Sequence, residues 1–494
     1  MLPILDKSQQ KEYALLSLLD SNDCYFSCQE LAQKLGLSER TIHKHLKNLT
    51  ELLREHYDKD FHIERSTALG IRLYRAPWLN IHTIYTKLAQ ESMTYSFFHT
   101  IFLETADSTT AFCLTHYLSP ASLYRTLSPM RDAISAFSLS LDIANMRLSG
   151  EEMQIRYFFN NFYLQIYRGY DWPFPGISRQ RIMNAIEDIL NALDFPMSIN
   201  DRKHFSYWLA IIAHRLTLRH PLSSPIPVEL GLNNEAYKTC LPAIQRFFQR
   251  FRLPIITAEC QFIFYLLHAF PFGENIQQCL FAAARDARGF DCLPLTATDH
   301  FMAVFARNFP DWVGMGAPSF RQKLHRLHFH GALFSGSSDL PERYPFLKTY
   351  QTTYPNFATH IQNLYQALAP HPCGRCFTDA RYLLPHYILL CSQYFDLTAT
   401  ESVISLSMLT DYGPIYEEKI KQEIFSRFQD NFHIKFVPTH LAYDLLITNL
   451  PAPIHPPDHL TMSIHNAFNL REWKILEELL THIRAQKASN IKSL

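Results

Sequence analysis

The sequence predicts a mainly α, multidomain chain that closes with a small α/β domain. Three observations predict this. Apolar residues recur at helical i, i+3, i+4 spacing over most of the length. Glycine is scarce, 14 in 494 residues, against a usual share of about 7 %. Strand–helix–strand alternation begins only near residue 400. With 47 % hydrophobic and 19 % charged residues, the chain can bury several cores, and its length allows about three domains or more.

In the first part, residues 1–80, Tyr13, Leu15, Leu16, Leu18 and Leu19 mark one face of a helix over Gln9–Asp20. Ser27 with Glu30 three residues on forms a capping box for a helix over Cys28–Leu35, which Gly36 ends. Ser38 caps a third helix from Glu39 to about Arg54, with Ile42, Leu46, Leu49 and Leu53 on one side. Phe61–Tyr74 then alternates through a turn at Ser66–Gly70, a β-hairpin. Ala32, Gly36 and Ile42 fall at the offsets of a helix-turn-helix: small residue at the crossing, turn residue, apolar residue beyond. Three helices and a hairpin make a winged helix-turn-helix; an ordinary helical hairpin is the alternative.

The second part, 81–152, repeats the plan in a variant form. A helix over Ala111–Leu118 precedes one capped by Ser122 that runs through Leu123, Leu127 and Ile134, followed by alternation at Leu139, Leu141 and Ile143, a turn at 144–146 and a strand to Leu148. Pro129 inside that helix counts against it, because proline removes a helix hydrogen bond. Parts three and four, 153–284 and 285–398, read as two helical bundles; Phe205-Trp208-Leu209-Ile212 and Phe262-Tyr265-Leu266 are typical. Proline-bearing loops interrupt them at 221–227, 310–318 and 338–346. The fifth part, 399–494, reads as a strand over Val403–Leu409, a helix over Pro414–Phe428, strands at Phe432–Val437 and Asp444–Asn449, and a closing helix over Arg471–Ile483, hence a small parallel sheet.

Composition narrows the function. Lys plus Arg number 46 and Asp plus Glu 46, which excludes a globally basic coat or an acidic tail but leaves room for a local basic face. Ten cysteines without a dense framework fit reduced thiols in a cytosolic protein. No secretion signal opens the chain and no run of about 18 apolar residues occurs, so a cytoplasmic protein without a membrane partner is expected. No nucleophile elbow, phosphate loop, zinc-protease or dinucleotide fingerprint is found, so no catalytic residue, metal site or cofactor is expected.

The helix Glu39–Leu53 carries Arg40, Thr41, His43, Lys44 and Lys47 on its non-core side, donors suited to phosphates and base edges in the major groove. The hairpin adds Arg65, Arg72 and Arg75. The first 80 residues nevertheless hold 11 basic and 11 acidic side chains, so DNA binding requires an uneven distribution, and a solvated helix face is the alternative. Tyr124, Arg125 and Arg131 correspond in the second part.

Histidines gather in the two bundles: His204, His214, His220 and His268, then His325, His328 and His330, then His371 and His386. Core histidines are one reading. A metal site with Cys373-x-x-Cys376 is a second. Reversible phosphorylation of an imidazole nitrogen is a third, since neutral histidine is nucleophilic near pH 7.

The order of parts resembles the Mga/AtxA family of virulence regulators. The stretches that carry the resemblance are L-A-Q-K-L-G-L-S-E-R-T-I-H-K-H-L-K-N-L at 31–49, G-I-R-L at 70–73, L-S-G-E-E-M-Q-I-R-Y-F-F at 148–159 and D-L-L-I-T-N-L-P at 444–451. The resemblance implies two helix-turn-helix domains, two phosphotransferase-system regulation domains (PRDs) at 153–284 and 285–398, and an EIIB-like domain at 399–494. It implies a transcription activator that binds promoter DNA, dimerises through the EIIB-like domain, and receives phosphoryl groups from phosphotransferase-system donor proteins. His204, His214, His268, His328 and His386 are then the candidate acceptors. EIIB enzymes use a cysteine after the first strand; here the loop reads Thr410-Asp411-Tyr412-Gly413. A phosphotransferase-system carrier and a zinc-binding module around His325–Cys376 are the rival readings.

Overall fold

The computed structural model describes residues 2–57, 59–106, 108–194, 196–223, 235–272, 293–312, 318–336, 344–450, 460–465 and 468–491. The boundary expected at 284/285 and parts of the three proline-bearing loops (224–227, 313–317 and 338–343) lie outside them. The chain divides into two compact units, residues 1–290 with 333–337, and residues 291–332 with 338–494.

The first unit opens with α1 (Lys7–Asp20), α2 (Cys28–Leu35) and α3 (Glu39–His56), followed by the antiparallel hairpin β1 (Phe61–Ser66) and β2 (Gly70–Arg75). The capping box forms as the sequence dictates: the Glu30 amide donates to Ser27 Oγ at 3.1 Å, and the Ser27 amide donates to Glu30 Oε2 at 2.7 Å. Gly36 ends α2 in the left-handed region at φ 63°, where a side chain is strained. Ser38 Oγ accepts the Thr41 amide at 3.2 Å and starts α3. Leu15, Leu16 and Leu19 of α1, Ile42, Leu46, Leu49 and Leu53 of α3, and Phe61, Ile63, Ile71 and Leu73 of the hairpin close one core.

The second helix-turn-helix is larger than the sequence suggested. It begins with α4 (His82–Glu91) and α5 (Met93–Leu103), neither of which was anticipated. They precede α6 (Thr109–Thr115), α7 (Pro120–Ser135) and the short hairpin β3 (Ser140–Asp142) and β4 (Arg147–Ser149). The cap of α7 is Ser119, not Ser122: the Ser122 amide donates to Ser119 Oγ at 3.2 Å, and Pro120 takes the first helical position, where its missing N–H costs nothing. The helix continues through Pro129, which lies exposed on its outer side.

Next comes α8 (Glu152–Tyr167), buried along almost its whole length from Gln154 to Tyr167. Its phenylalanines and tyrosines reach partners on every side: Phe98 on α5, Phe137 after α7, and Phe334. The helices α9 (Arg179–Leu193), α10 (Ile199–Thr217), α11 (Glu235–Arg250) and α12 (Thr257–Ala269) complete the unit.

The second unit starts with α13 (Leu293–Asn308), α14 (Pro318–Leu333), α15 (Phe346–Thr353), α16 (Pro355–Leu368) and α17 (Ala380–Tyr394). A four-stranded parallel sheet in the order β6-β5-β7-β8 follows. Its parts are β5 (Ile404–Leu409), α18 (Pro414–Phe428), β6 (Ile434–Phe436), β7 (Leu445–Thr448), β8 (Leu460–Ser463) and α19 (Leu470–Ile491). Ile404, Leu406, Leu445, Ile447, Ile424 and Leu476 lie in its core. The expected strands are shorter here, the closing helix is longer, and β8 is additional.

Candidate nucleic-acid interface

The helix α3 is held by its inner face and by one polar contact. Glu12 on α1 is 5 % exposed and meets the ring of His45 at 3.0 Å, while Asn48 Nδ2 donates to the same Glu12 oxygen at 2.7 Å. A buried carboxylate requires such partners. His45 therefore belongs to the core although it stands in the run His43-Lys44-His45; its place one turn from Leu49 and beside Leu46 was the signal.

The outer face is left clear. Arg40, His43, Lys44 and Lys47 are all exposed and stand at i, i+3, i+4, i+7, one stripe along the helix. Lys47 approaches Glu51 at 3.8 Å with both side chains mostly in solvent, a contact worth little. Arg54 is exposed farther along the helix. Thr41 differs: its Oγ1 is 2.8 Å from Ser38 Oγ, so it serves the helix start. Cys28 Sγ lies 3.9 Å from His43 Nδ1, and burial, with the Glu39 carboxylate nearby, pushes its thiol pKa up.

The three hairpin arginines separate. Arg65 is exposed, with Nη2 3.5 Å from Thr50 Oγ1 on α3, and so extends the stripe. Arg72 lies 3.3 Å from Asp23 and over the Tyr25 ring at 5.7 Å. Arg75 is fixed to Asp20 at 2.6 Å through Nε, with a second contact at 3.4 Å, and also donates to the Leu79 carbonyl. It anchors the end of β2 to the end of α1, and the expectation that it joins the groove-facing set is corrected on that ground. On α7, Tyr124 is 40 % exposed, and Arg125 and Arg131 are exposed. Arg147 on β4 is an exposed cation that the sequence reading missed.

The histidines sort by burial. His328 has no exposed surface; Thr298 Oγ1 gives its proton to the Pro294 carbonyl, so His328 Nδ1 donates to Thr298 and its Nε2 accepts from the Tyr387 hydroxyl. Burial holds its pKa down to about 3 and that of His325 to about 4. His268 is 2 % exposed. His268 and His328 were expected to accept phosphoryl groups, but as folded neither ring can be reached by a donor protein. His204 is half-buried on α10. His214, half-buried, stacks on Phe102 and donates through Nε2 to its carbonyl at 2.9 Å. His386, half-buried, donates through Nδ1 to the Tyr382 carbonyl at 2.6 Å. Among the described residues, no group of three or more His, Cys, Asp and Glu side chains could hold a metal ion. No helix there is long and apolar enough to cross a membrane.

Comparison with known proteins agrees with this geometry. Residues 11–72, which hold most of α1, all of α2 and α3 and most of the first hairpin, match a family described as an HTH domain. Residues 78–163 match the Mga helix-turn-helix domain family. The chain is 26 % identical over 221 residues to a putative trans-acting regulator of Streptococcus pneumoniae serotype 4, covering 44 % of either chain. It is 24 % identical over 216 residues to the capsule synthesis positive regulator AcpA of Bacillus anthracis, again 44 % of either chain. It is 21 % identical over 260 residues to the anthrax toxin expression trans-acting positive regulator of the same organism, covering 52 % of this chain and 54 % of that one. The chain thus spans about half the length of the curated relatives it matches. These matches bear out the resemblance to the Mga/AtxA family.

Proposed function

We propose that this protein is a DNA-binding transcription activator of the Mga/AtxA type. The observation that carries the reading is the stripe Arg40, His43, Lys44 and Lys47, solvent-facing on a capped helix. In this reading α3 enters the major groove, Arg65 follows the adjoining backbone, and Tyr124 with Arg125 lets the second winged unit grip the same promoter. Arg72, charge-matched by Asp23, contributes little.

The finer parts of the reading follow the resemblance. Residues 153–284 and 285–398 act as PRDs, with His204, His214 and His386 as the acceptors that a phosphotransferase-system donor can reach. Residues 399–494 act as an EIIB-like contact domain through which the protein dimerises. The turn Thr410–Gly413 supports contact over phosphoryl transfer. It lacks a thiol, and the Thr410 amide and hydroxyl both donate to Glu417 Oε1, at 3.1 and 2.9 Å. A dimer doubles the cationic contacts, which offsets the neutral charge of each first domain.

The test is Arg40→Ala with Lys44→Ala in gel-shift titrations across a salt series. Binding should weaken and the slope of log affinity against log salt should fall by about 2, since two phosphates are no longer neutralised. Unchanged affinity and slope would remove α3 as the reader.

A further inference from the structure

Two reading helices on one chain assist each other only if their separation and angle are set before they meet the duplex. The connection at residues 76–81 is short but makes no regular structure that could set an angle by itself. The segment ahead of α1 supplies the missing constraint.

Leu2, Ile4 and Leu5 are buried, at 7, 1 and 7 % exposure. Gln165 on α8 grips the Leu2 backbone at both ends: the Leu2 amide donates to Gln165 Oε1 at 2.8 Å, and Gln165 Nε2 donates to the Leu2 carbonyl at 2.8 Å. The same Nε2 donates to the Tyr85 hydroxyl on α4 at 2.7 Å. Gln9 on α1 donates to the Leu88 carbonyl of α4 at 2.8 Å, and the Tyr13 ring meets Tyr85 edge-on at 5.2 Å. Glu12, between Gln9 and Tyr13 on the same helix, is the partner of His45 on α3. One helix is therefore a wall shared by the first reading head and the base of the second.

We propose that Gln165 is a positioning residue, which clasps the Leu2–Leu5 strap and so fixes the angle between α3 and α7 for simultaneous engagement of one duplex. The purpose, though not the clasp itself, rests on reading both winged units as DNA readers. Gln165 touches no DNA; it acts through the strap and α1.

The experiment uses the full chain with nitroxide labels placed by unnatural amino acids at Glu51 on α3 and Asp132 on α7, both exposed. Pulsed dipolar spectroscopy should give one narrow distance distribution in the wild type and a broad one in Gln165→Ala combined with Ile4→Asp. Gln165→Glu keeps an acceptor for the Leu2 amide but loses the donor, and should fall between; it replaces the double variant if that loses helical circular dichroism. On a duplex of about 40 base pairs, selected by the wild type from a random pool and long enough for two half-sites, the folded variant should bind at least about tenfold more weakly. An unchanged narrow distribution in a folded variant overturns the clasp. Full affinity despite a broadened distribution overturns its role in binding. A wild type that selects no duplex defeats the DNA-reader proposal instead, while the distances still judge the clasp.

Discussion

Arg156 and Glu259 face each other with no exposed side-chain surface on either, at 2.6 and 2.9 Å between the two guanidinium nitrogens and the two carboxylate oxygens. The pair begins a chain of charges that runs outward. Arg156 also meets Glu152, which pairs with Arg215, which reaches Glu104 at the end of α5, where His220 Nε2 lies 2.6 Å away. The chain ties α5 and α8 to α10 and α12. Removing Glu259 leaves the buried Arg156 with Glu152 as its remaining carboxylate partner, a loss of up to about 3–5 kcal/mol. Glu259→Ala should therefore lower the melting temperature sharply in calorimetry, while replacing both Arg156 and Glu259 with apolar residues of similar size should cost much less. Equal losses would mean that the pair matters through packing alone.

Acid should unfold the protein through histidines that are buried, His325 and His328, or half-buried, His99. The folded pKa values of His99 and His325 are held down to about 4, and that of His328 to about 3, by burial before any neighbouring charge. A depressed histidine contributes stability in full above its unfolded value near 6.5 and loses it as pH falls toward the folded value. Each such group then withdraws up to about 1.4 kcal/mol per pH unit. Melting temperature should hold above about pH 7 and drop between 6.5 and 4; Thr298→Val, which removes a partner of His328 without changing its burial, should leave that window in place. A melting temperature that is flat from pH 7 to 4 would contradict the burial of these rings.

The basic residues of the first domain should separate into two kinds. Arg75→Ala should destabilise the domain by deleting the hydrogen bonds to Asp20 and Leu79, by about 1.5–3 kcal/mol for hydrogen bonds to a charged group, with an unchanged salt slope of DNA binding in the fraction that stays folded. Lys47→Ala should do the reverse: little change in melting temperature, and a slope lower by about 1. A single titration series with a melting curve for each variant distinguishes them.

Gly70 should not tolerate a side chain. Its φ is 107°, and an added Cβ would strike the Phe26 carbonyl oxygen, which accepts the neighbouring Ile71 amide at 2.8 Å. Gly70→Ala should break the Phe26–Ile71 bridge and loosen the hairpin by more than the roughly 1 kcal/mol at stake where alanine fits, visible as faster amide exchange in β1 and β2. Gly36→Ala, with open space around the Cβ position, should cost only the left-handed strain, about 1 kcal/mol.

Much of the first winged unit was legible because its signals are local. Ser27, Glu30, Gly36 and Ser38 each act within four residues, and the alternation at Phe61–Tyr74 needs only its own strands. The misses are of other kinds. α5 does carry a helical period, with Phe97, Phe98, Ile101 and Phe102 buried and the polar Ser96, His99 and Thr100 half-buried on the other side, and the sequence reading passed over it. Ser119 and Ser122 compete for one cap, and the proline after Ser119 decides it. The role of Arg75 depends on Asp20, and that of Gln165 on Leu2, partners distant in sequence that no local pattern announces. The histidines could be counted in the sequence, but only packing separates His328 from His386.

The helix α8 bears on how this protein can be taken apart. The Mga-matching segment ends at residue 163, inside α8, whose aromatic side chains are enclosed on all flanks. A fragment stopping at 152 would strip the lining from the buried rings of α5 and from Phe137, and one starting there would carry a naked greasy rod. Either piece should precipitate or recruit a foreign surface, so dividing the chain demands a cut elsewhere, or none.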